Sequence, residues 1–525
     1  MTNGQTISLG PAGPAPLRGD ATRVLAAPVA AGPGPIGTIA LAILATGLPV
    51  LFHLAGAPAG IAICVLLGLV IANFAAPALP TALIFAYLFQ NLFVALVSPQ
   101  LEDLSAFNSA RAYNFILSAV AWIVLSSSYW MRRERFDRRF RLIMNVTTVA
   151  LAFIGIYFVV GMASNPASAA VYLRNIAAPF LLLQIFALVF YRYRVGMAGP
   201  LILIGLASAV FGYLEIFAHN PFFRLINGDT YLNIRLREAF DTGTWVNEMR
   251  QSGFVLRSYL DMLRIEFLNS PIFADLGLHA LRLVGPNFHS ISFAYALAFF
   301  SVVLTAGRHW WFALIALPLL IVIGSKGALI FVLLIIAALA LTRGFRGNSL
   351  LWCYAAVLAI YAALGILLGI RIQDYHVIGF FGGLNGFLRN PLGYGIGSGG
   401  NLSVDASAIN WNQYQHLGEA DIALESAVGV LLYQMGIFGI FLLGVLGWLA
   451  LRLWALHVRS NDRLLAVGAL ALLTIIVNGI FQEEALFAPL ALGLICALAG
   501  LLFGRAYRAS VSPRPVAGER HMVVR

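Results

Sequence analysis

Across 525 residues the chain is 60% hydrophobic and only 10% charged, with a net charge of +11 at neutral pH. That balance excludes a soluble domain, because apolar runs of roughly 18 residues or more recur, the signature of membrane-spanning helices. The basic excess does not point to nucleic acid, since the arginines lie between apolar runs, as membrane flanks do. The fold class is an all-α polytopic membrane protein; strands are not expected within the hydrocarbon, where only helices and closed barrels satisfy their own backbone.

In chain order, residues 1–34 are rich in Pro, Gly and Ala and carry Arg18 and Arg23, which predicts a disordered tail. The apolar run that follows is too long for a signal-peptide core and is read as a spanning helix. Fourteen transmembrane spans are expected, over 35–54, 57–76, 78–98, 112–131, 142–162, 175–192, 199–218, 287–306, 309–324, 327–342, 350–369, 425–452, 465–480 and 486–504. They divide into an N-terminal bundle (35–218), central helices (287–369) and C-terminal helices (425–504). Two large loops, 219–286 and 370–424, and a tail, 505–525, complete the layout.

Arginine placement sets the orientation. The segment RRERFDRRFR at 132–141 holds six arginines, and Arg192, Arg194, Arg343, Arg346, Arg452, Arg459, Arg463, Arg505 and Arg508 mark alternate span ends. An even number of spans puts all of them on one side with both termini, and the positive-inside rule makes that side the cytoplasm. The two large loops then face outward. The first balances seven arginines against seven acids, and its segment RSYLDMLRIEFLNSPIFADLGLHALRLV has the apolar spacing of amphipathic surface helices. No internal repeat is visible, which weighs against transporter folds built from duplicated halves. Cys64, Cys353 and Cys496 lie inside apolar runs and read as small buried hydrophobes. No His/Cys/Asp cluster has metal spacing, and no metal or cofactor is expected.

The polar content concentrates in the two large loops, and the residues that could carry chemistry lie mostly in and around the second. GYGIGSGG, Gly393 to Gly400, lets backbone approach a ligand closely and could form amide nests for phosphate oxygens, or could simply be a connecting loop. It is no Walker loop, since no Lys follows. Glu425 and Ser426 then open an apolar stretch, AVGVLLYQMGIFGIF. A carboxylate there is either a helix cap or a base at the membrane–water boundary. Lys326, the only lysine of the chain, lies in IVIGSKGALIF on the outer side, where a cation either snorkels to headgroups or binds an anion. Arg174 marks an outer helix end, Arg282 and His289 flank the return of the first loop into the membrane, and Arg389 precedes the glycine run. His416 in NQYQHLGEAD could be a base, a ligand or a solvated loop residue, and Glu483 and Glu484 read as a solvated turn or a second acidic contribution. Cations ringed around a carboxylate suit transfer from a lipid diphosphate: arginines hold the leaving group and the carboxylate takes a hydroxyl proton.

At these residues the chain resembles a known family. NPLGYGIGSGGN, followed after a polar loop by ESAVGVLLYQMGIFG, resembles the signature region of the O-antigen polymerase and O-antigen ligase superfamily. GSKGALIF resembles that family's basic motif on the outer side, where arginine is commoner than lysine. The close match covers a small part of the chain; the rest agrees in layout only. The resemblance implies a GT-C-like glycosyltransferase of the bacterial inner (cytoplasmic) membrane. Its substrate would be an undecaprenyl-diphosphate-linked glycan on the periplasmic side, with no nucleotide sugar. A chain-length regulator and a flippase of the same pathway would be its partners. Ligases typically carry His-Asn where this chain has Glu425-Ser426, a departure that favours a polymerase and weighs against a histidine base. Carried over, Glu425 takes the position of the catalytic base and Lys326 that of the anion-binding cation. Arg174, Arg282, His289, Arg389 and His416 join the substrate-binding set by placement. The expected function is thus a polysaccharide polymerase for an exopolysaccharide or O-antigen type polymer. A ligase-like transferase, a lipid-linked oligosaccharide flippase and a non-catalytic synthase subunit are its rivals.

Overall fold

The computed structural model of the chain describes residues 34–101, 103–241, 245, 249, 258–269, 277–342, 344, 347–403 and 411–511. The expected N-terminal tail apart from Gly34, the flank residues Arg343 and Arg346, much of 242–257 and the tail beyond 511 lie outside these residues.

The first half is helical throughout: α1 (Pro35–His53), α2 (Ala57–Phe74), α3 (Leu79–Val97), α4 (Leu104–Ala110), α5 (Tyr113–Trp130), α6 (Arg138–Met162), α7 (Pro166–Arg192), α8 (Ala198–Phe217), α9 (His219–Leu225) and α10 (Gly228–Asp241). The first large loop ends with α11 (Tyr259–Leu263), β1 (Arg264–Glu266) and β2 (His279–Leu281). The remainder comprises α12 (Ser290–Ala306), α13 (Trp311–Ile323), α14 (Lys326–Leu341), α15 (Ser349–Ile372), α16 (Tyr375–Arg389), α17 (Trp411–Leu417), α18 (Ala427–Met435), α19 (Ile437–Ser460), α20 (Arg463–Phe481), α21 (Glu483–Phe487) and α22 (Leu494–Val511).

Among the described residues, ten helices are long and apolar enough to cross a membrane, or eleven if α4 and α5, bent by 41° at a short break, form one span. Three shorter apolar helices, α12, α13 and α14, occupy three more of the ranges expected to span. Local chemistry starts and stops these helices. Asp137 Oδ1 accepts from Arg139 N at 2.7 Å to cap α6, and Asp462 caps α20 by accepting from Leu464 N at 2.9 Å. Gly324 ends α13 in the left-handed region, as a C-terminal glycine does.

The arginine-rich segments gather at one end of the bundle. Arg192 lies over the Phe136 ring, and Arg508 Nη1 donates to Tyr193 O. Arg174 is eighteen residues from Arg192 on α7, which at 1.5 Å per residue is about 27 Å along the helix. The two arginines thus mark opposite ends of the bundle.

The core is α7 packed on α22, with 89% of the spanning window of each buried. Small residues bring their backbones together: a side chain on Gly500 would collide with Leu183 O, and one on Gly504 with Ala187 O. Gly500→Ile should therefore destabilise the protein by roughly 1–3 kcal/mol through overpacking. Thermal unfolding in detergent checks this, and an unchanged midpoint would show that the helices can separate freely.

Four expectations are corrected. First, the amphipathic segment of the first large loop is not continuously helical: β1 pairs antiparallel with β2, with Ile265 opposite Ala280. Arg-Ile-Glu alternates outward, inward and outward, a period of two that three residues cannot distinguish from a helix in sequence. Second, Arg174 is not at a helix end but inside α7, which begins at Pro166 behind an Asn165 cap. Third, Cys353 is exposed on the flank of α15 instead of buried. Fourth, the span expected over 425–452 is broken into α18 and α19 at Gly436, whose φ is 55° and ψ −130°.

That break explains the glycine run. Where α18 stops, its last carbonyls lose their helical partners. The run supplies donors: Tyr394 N reaches Tyr433 O at 3.0 Å and Gly395 N reaches Gln434 O at 2.9 Å. Ile396 N continues to Tyr157 O at 3.1 Å and Gly400 N to Ala423 O at 2.8 Å. Gly397 and Gly400 have φ of +92° and +90°, and side chains there would strike Ala169 and Tyr172. These amides cap a broken helix and thread between α6 and α7, so they are not free to cradle phosphate.

Candidate functional site

Loop ends at the face opposite the arginine-rich segments enclose a cavity of about 260 Å³. Arg111, Arg174 and Arg235 line it with His289, Glu483 and Glu484. Tyr87, Asn91, Asn114, Asn175, Asn287 and Asn401 add uncharged polar groups, and Phe487 to Leu490 form an apolar wall.

Each arginine arrives by a different route. Arg111 stands in the break between α4 and α5; its guanidinium lies 5.4 Å from the Phe107 ring centroid and 6.0 Å from that of Tyr231. Its Nη1 donates to Asn108 Oδ1 at 3.0 Å, while its buried Nε has no partner. Arg174 projects from α7, and its Nε donates to Asn175 Oδ1 at 3.3 Å. Arg235 on α10 donates to Phe288 O at 3.3 Å. Neither Arg111 nor Arg174 forms an ion pair among the described residues. Half-buried cations outside any ion pair leave room for an anion to bind.

His289 is not one of the cations. Its Nδ1 accepts from Ser292 N at 3.3 Å to cap α12, so the ring proton sits on Nε2. With Nδ1 engaged as an acceptor, the ring is neutral and Nε2–H is left as a donor. Arg282 lies beside the cavity: its Nε donates to Ile323 O at 3.2 Å, and burial lowers its pKa against the opposing pull of Glu484. Lys326 begins α14 and is exposed. The next residue, Gly327, accepts from Asn478 Nδ2 at 2.8 Å and packs on Tyr295 and Gln482, which puts Lys326 at the rim near α21.

Glu483 and Glu484 are not a solvated turn. Glu483 is 4% exposed; its Oε1 accepts from Tyr172 at 2.5 Å and its Oε2 from Asn401 N at 3.0 Å. Burial first, then Glu484 and Glu425, raise its pKa to about 8 despite those donors. Burial and Glu425 also raise Glu484. The pH consequence has a definite sign. A carboxyl held neutral in the fold but ionised when unfolded favours folding fully below its ordinary value of 4.5, and that contribution is lost as pH rises through about 8. Stability should fall between pH 5 and 9 by on the order of 4 kcal/mol, lowering the unfolding midpoint, and Glu483→Gln should flatten the dependence. A thermal-shift series over that range measures it.

Glu425 sits on the other side of Asn401. It precedes α18, whose cap is Ser426, and its side chain is 18% exposed. His376 on α16 faces it: Nδ1 donates to Glu425 O at 3.2 Å and lies 3.7 Å from Oε2. Burial opposes charge on His376, but Glu425, Asp374 and Glu484 outweigh it and raise its pKa above the ordinary value.

The structure therefore brings Arg174, Arg282 and His289 to one site, with Glu425 beside it and Lys326 at its rim. It does not bring Arg389 or His416. Arg389 pairs with Asp421 at 3.5 Å on the open surface, and His416 is exposed on α17. Sequence reasoning missed Arg111, Arg235, His376 and Asn401. Arg111 carried the signal used for Arg174, a cation between apolar runs on the outer side; the other three lie in polar loops where nothing marks them out. Compared with known protein families and with curated proteins, the chain matches none.

Proposed function

We propose that the chain is a polysaccharide polymerase joining lipid-diphosphate-linked oligosaccharide repeats, for an exopolysaccharide or O-antigen type polymer. In this reading it spans the bacterial inner membrane fourteen times, with both termini cytoplasmic and the cavity at the periplasmic face. The observation that carries it is the convergence of Arg111, Arg174 and Arg235 on one cavity beside three carboxyl groups, at one end of an otherwise apolar bundle. Arginine forks match phosphate oxygens and stay charged when desolvated. The acceptor hydroxyl oxygen attacks the anomeric carbon, and its proton passes to Glu425. The bond from that carbon to the diphosphate oxygen breaks, and the electron pair leaves with the lipid diphosphate held by the arginines.

The breaks at Gly436 and between α4 and α5 are features that suit a transporter, since broken helices often line a substrate path. At Gly436, Tyr394, Gly395 and Ile437 use their amides to close the break, the last by donating to Pro391 O at 2.9 Å. The experiment is incubation of the purified protein in liposomes with an undecaprenyl-diphosphate-linked repeat unit. A ladder of longer glycans, lost in Glu425→Gln, is expected. Movement of intact lipid-linked glycan across the bilayer without a ladder would replace the polymerase with a flippase. A ladder that persists in Glu425→Gln would remove the base.

A further inference from the structure

Glu425 has an unusual backbone. Its φ is 57°, and Ser426 N closes a three-residue turn onto Leu424 O at 2.6 Å. Turns of this kind are rare and strained, and non-glycine residues persist in them only when their surroundings over-determine the conformation. Both ends of Glu425 are held from outside. Its N–H donates to Asn401 Oδ1 at 3.1 Å, and its carbonyl accepts from His376 Nδ1 at 3.2 Å. Asn401 in turn lines the arginine cavity and donates its own N–H to Glu483. One residue thus forms the wall between the cations and Glu425.

A carbonyl can only accept, so His376 Nδ1 carries a proton and Nε2 is the atom that titrates. The side chain of His376 is 37% exposed. The charged and titratable groups facing the pair are Asp374 on the approach to α16, Glu484 on α21, Glu483 beyond Asn401 and the Tyr172 phenol. All but the phenol are carboxyls; among the described residues Arg282 acts on Glu484 as well, and His376 is the basic group that lies against Glu425 itself.

We propose that His376 is a positioning residue that grips both the backbone carbonyl and the carboxylate of Glu425, and that this pair, walled off by Asn401, forms the acceptor-hydroxyl side of a two-sided site. The proposal rests on the polymerase reading and adds the acceptor side to it. The structural role and the charge separate in two variants. His376→Asn keeps a donor where Nδ1 stood and removes the charge; His376→Ala removes both.

Donor binding is measured with the lipid-diphosphate-linked repeat unit, and turnover with the same donor over pH 5–9. In His376→Ala, kcat should fall about 100-fold with donor Kd unchanged. In His376→Asn, part of that rate should return, with the acidic limb of the profile moved about one pH unit upward, because the imidazole 3.7 Å from the carboxylate is gone. Donor bound normally, with wild-type kcat and an unmoved acidic limb in His376→Asn, overturns the proposal while leaving the polymerase reading intact. If His376→Ala fails to fold, His376→Asn alone decides. Wild-type protein that neither binds the donor nor extends it overturns the polymerase reading and this proposal together.

Discussion

Arg174→Gln is expected to weaken binding of a lipid-diphosphate-linked glycan about 10- to 100-fold while leaving the empty protein no less stable. The first half follows from charge-assisted bonding, which contributes roughly 1.5–3 kcal/mol per hydrogen bond to a charged group. The second half follows from the cavity itself. Arg111, Arg174 and Arg235 converge there, and neither Arg111 nor Arg174 forms an ion pair among the described residues. Removing one of several like charges from a partly desolvated site relieves repulsion, so the unfolding midpoint should hold or rise. Arg174→Lys should not restore affinity fully, since a point charge cannot reproduce a planar fork. Binding titrations with donor and thermal unfolding without it test the two halves separately. A variant that loses stability and affinity together would mark Arg174 as a structural residue.

Glu215→Leu should give the largest loss of stability of any single change in this region. Glu215 is 1% exposed at the end of α8, and it holds the loop that returns to the bundle. Its Oε1 accepts from Val284 N at 2.7 Å and its Oε2 from Gly285 N at 3.0 Å. The loop turns tightly there, with φ of 65° at Gly285 and 52° at Phe288. It then delivers Asn287 and His289 to the cavity, steadied by Asn91 Nδ2 donating to Asn287 O at 2.7 Å. Leucine fills the volume but leaves two buried amides unsatisfied, at a cost of about 3–5 kcal/mol. Glu215→Gln keeps one acceptor and turns an amide donor toward the other N–H, so it should fall between. Unfolding midpoints of both variants, with donor binding alongside, measure this. An unchanged midpoint for Glu215→Leu would mean that the loop is held elsewhere.

Glu215 also shows where sequence reading stops. It lies inside a run read as a uniform apolar span, and nothing nearby in the chain names Val284 as its partner. The same limit applies at Glu425, which was legible as a carboxylate at the head of an apolar stretch. Its strained turn was not, because the hydrogen bonds that enforce it come from Asn401 and His376, tens of residues away. The glycine run was visible as a place of close backbone approach, but its partners are carbonyls of a broken helix, and the break depends on packing against Pro391.

What the sequence determined by itself is the helical membrane class, the segregation of polar groups and the side on which arginines gather. Each follows from local composition: hydrocarbon tolerates only backbone that satisfies itself, so apolar length alone specifies helices, and charge must collect at their ends. The tertiary structure alone decided which cations face a common cavity. Arg111, Arg174 and Arg235 stand on three elements well separated in the chain, and Arg389 was equally eligible by position yet pairs with Asp421 on the surface. Convergence of distant loop ends depends on how the helices pack, and packing of one apolar surface on another leaves no signature in the polar residues that it brings together.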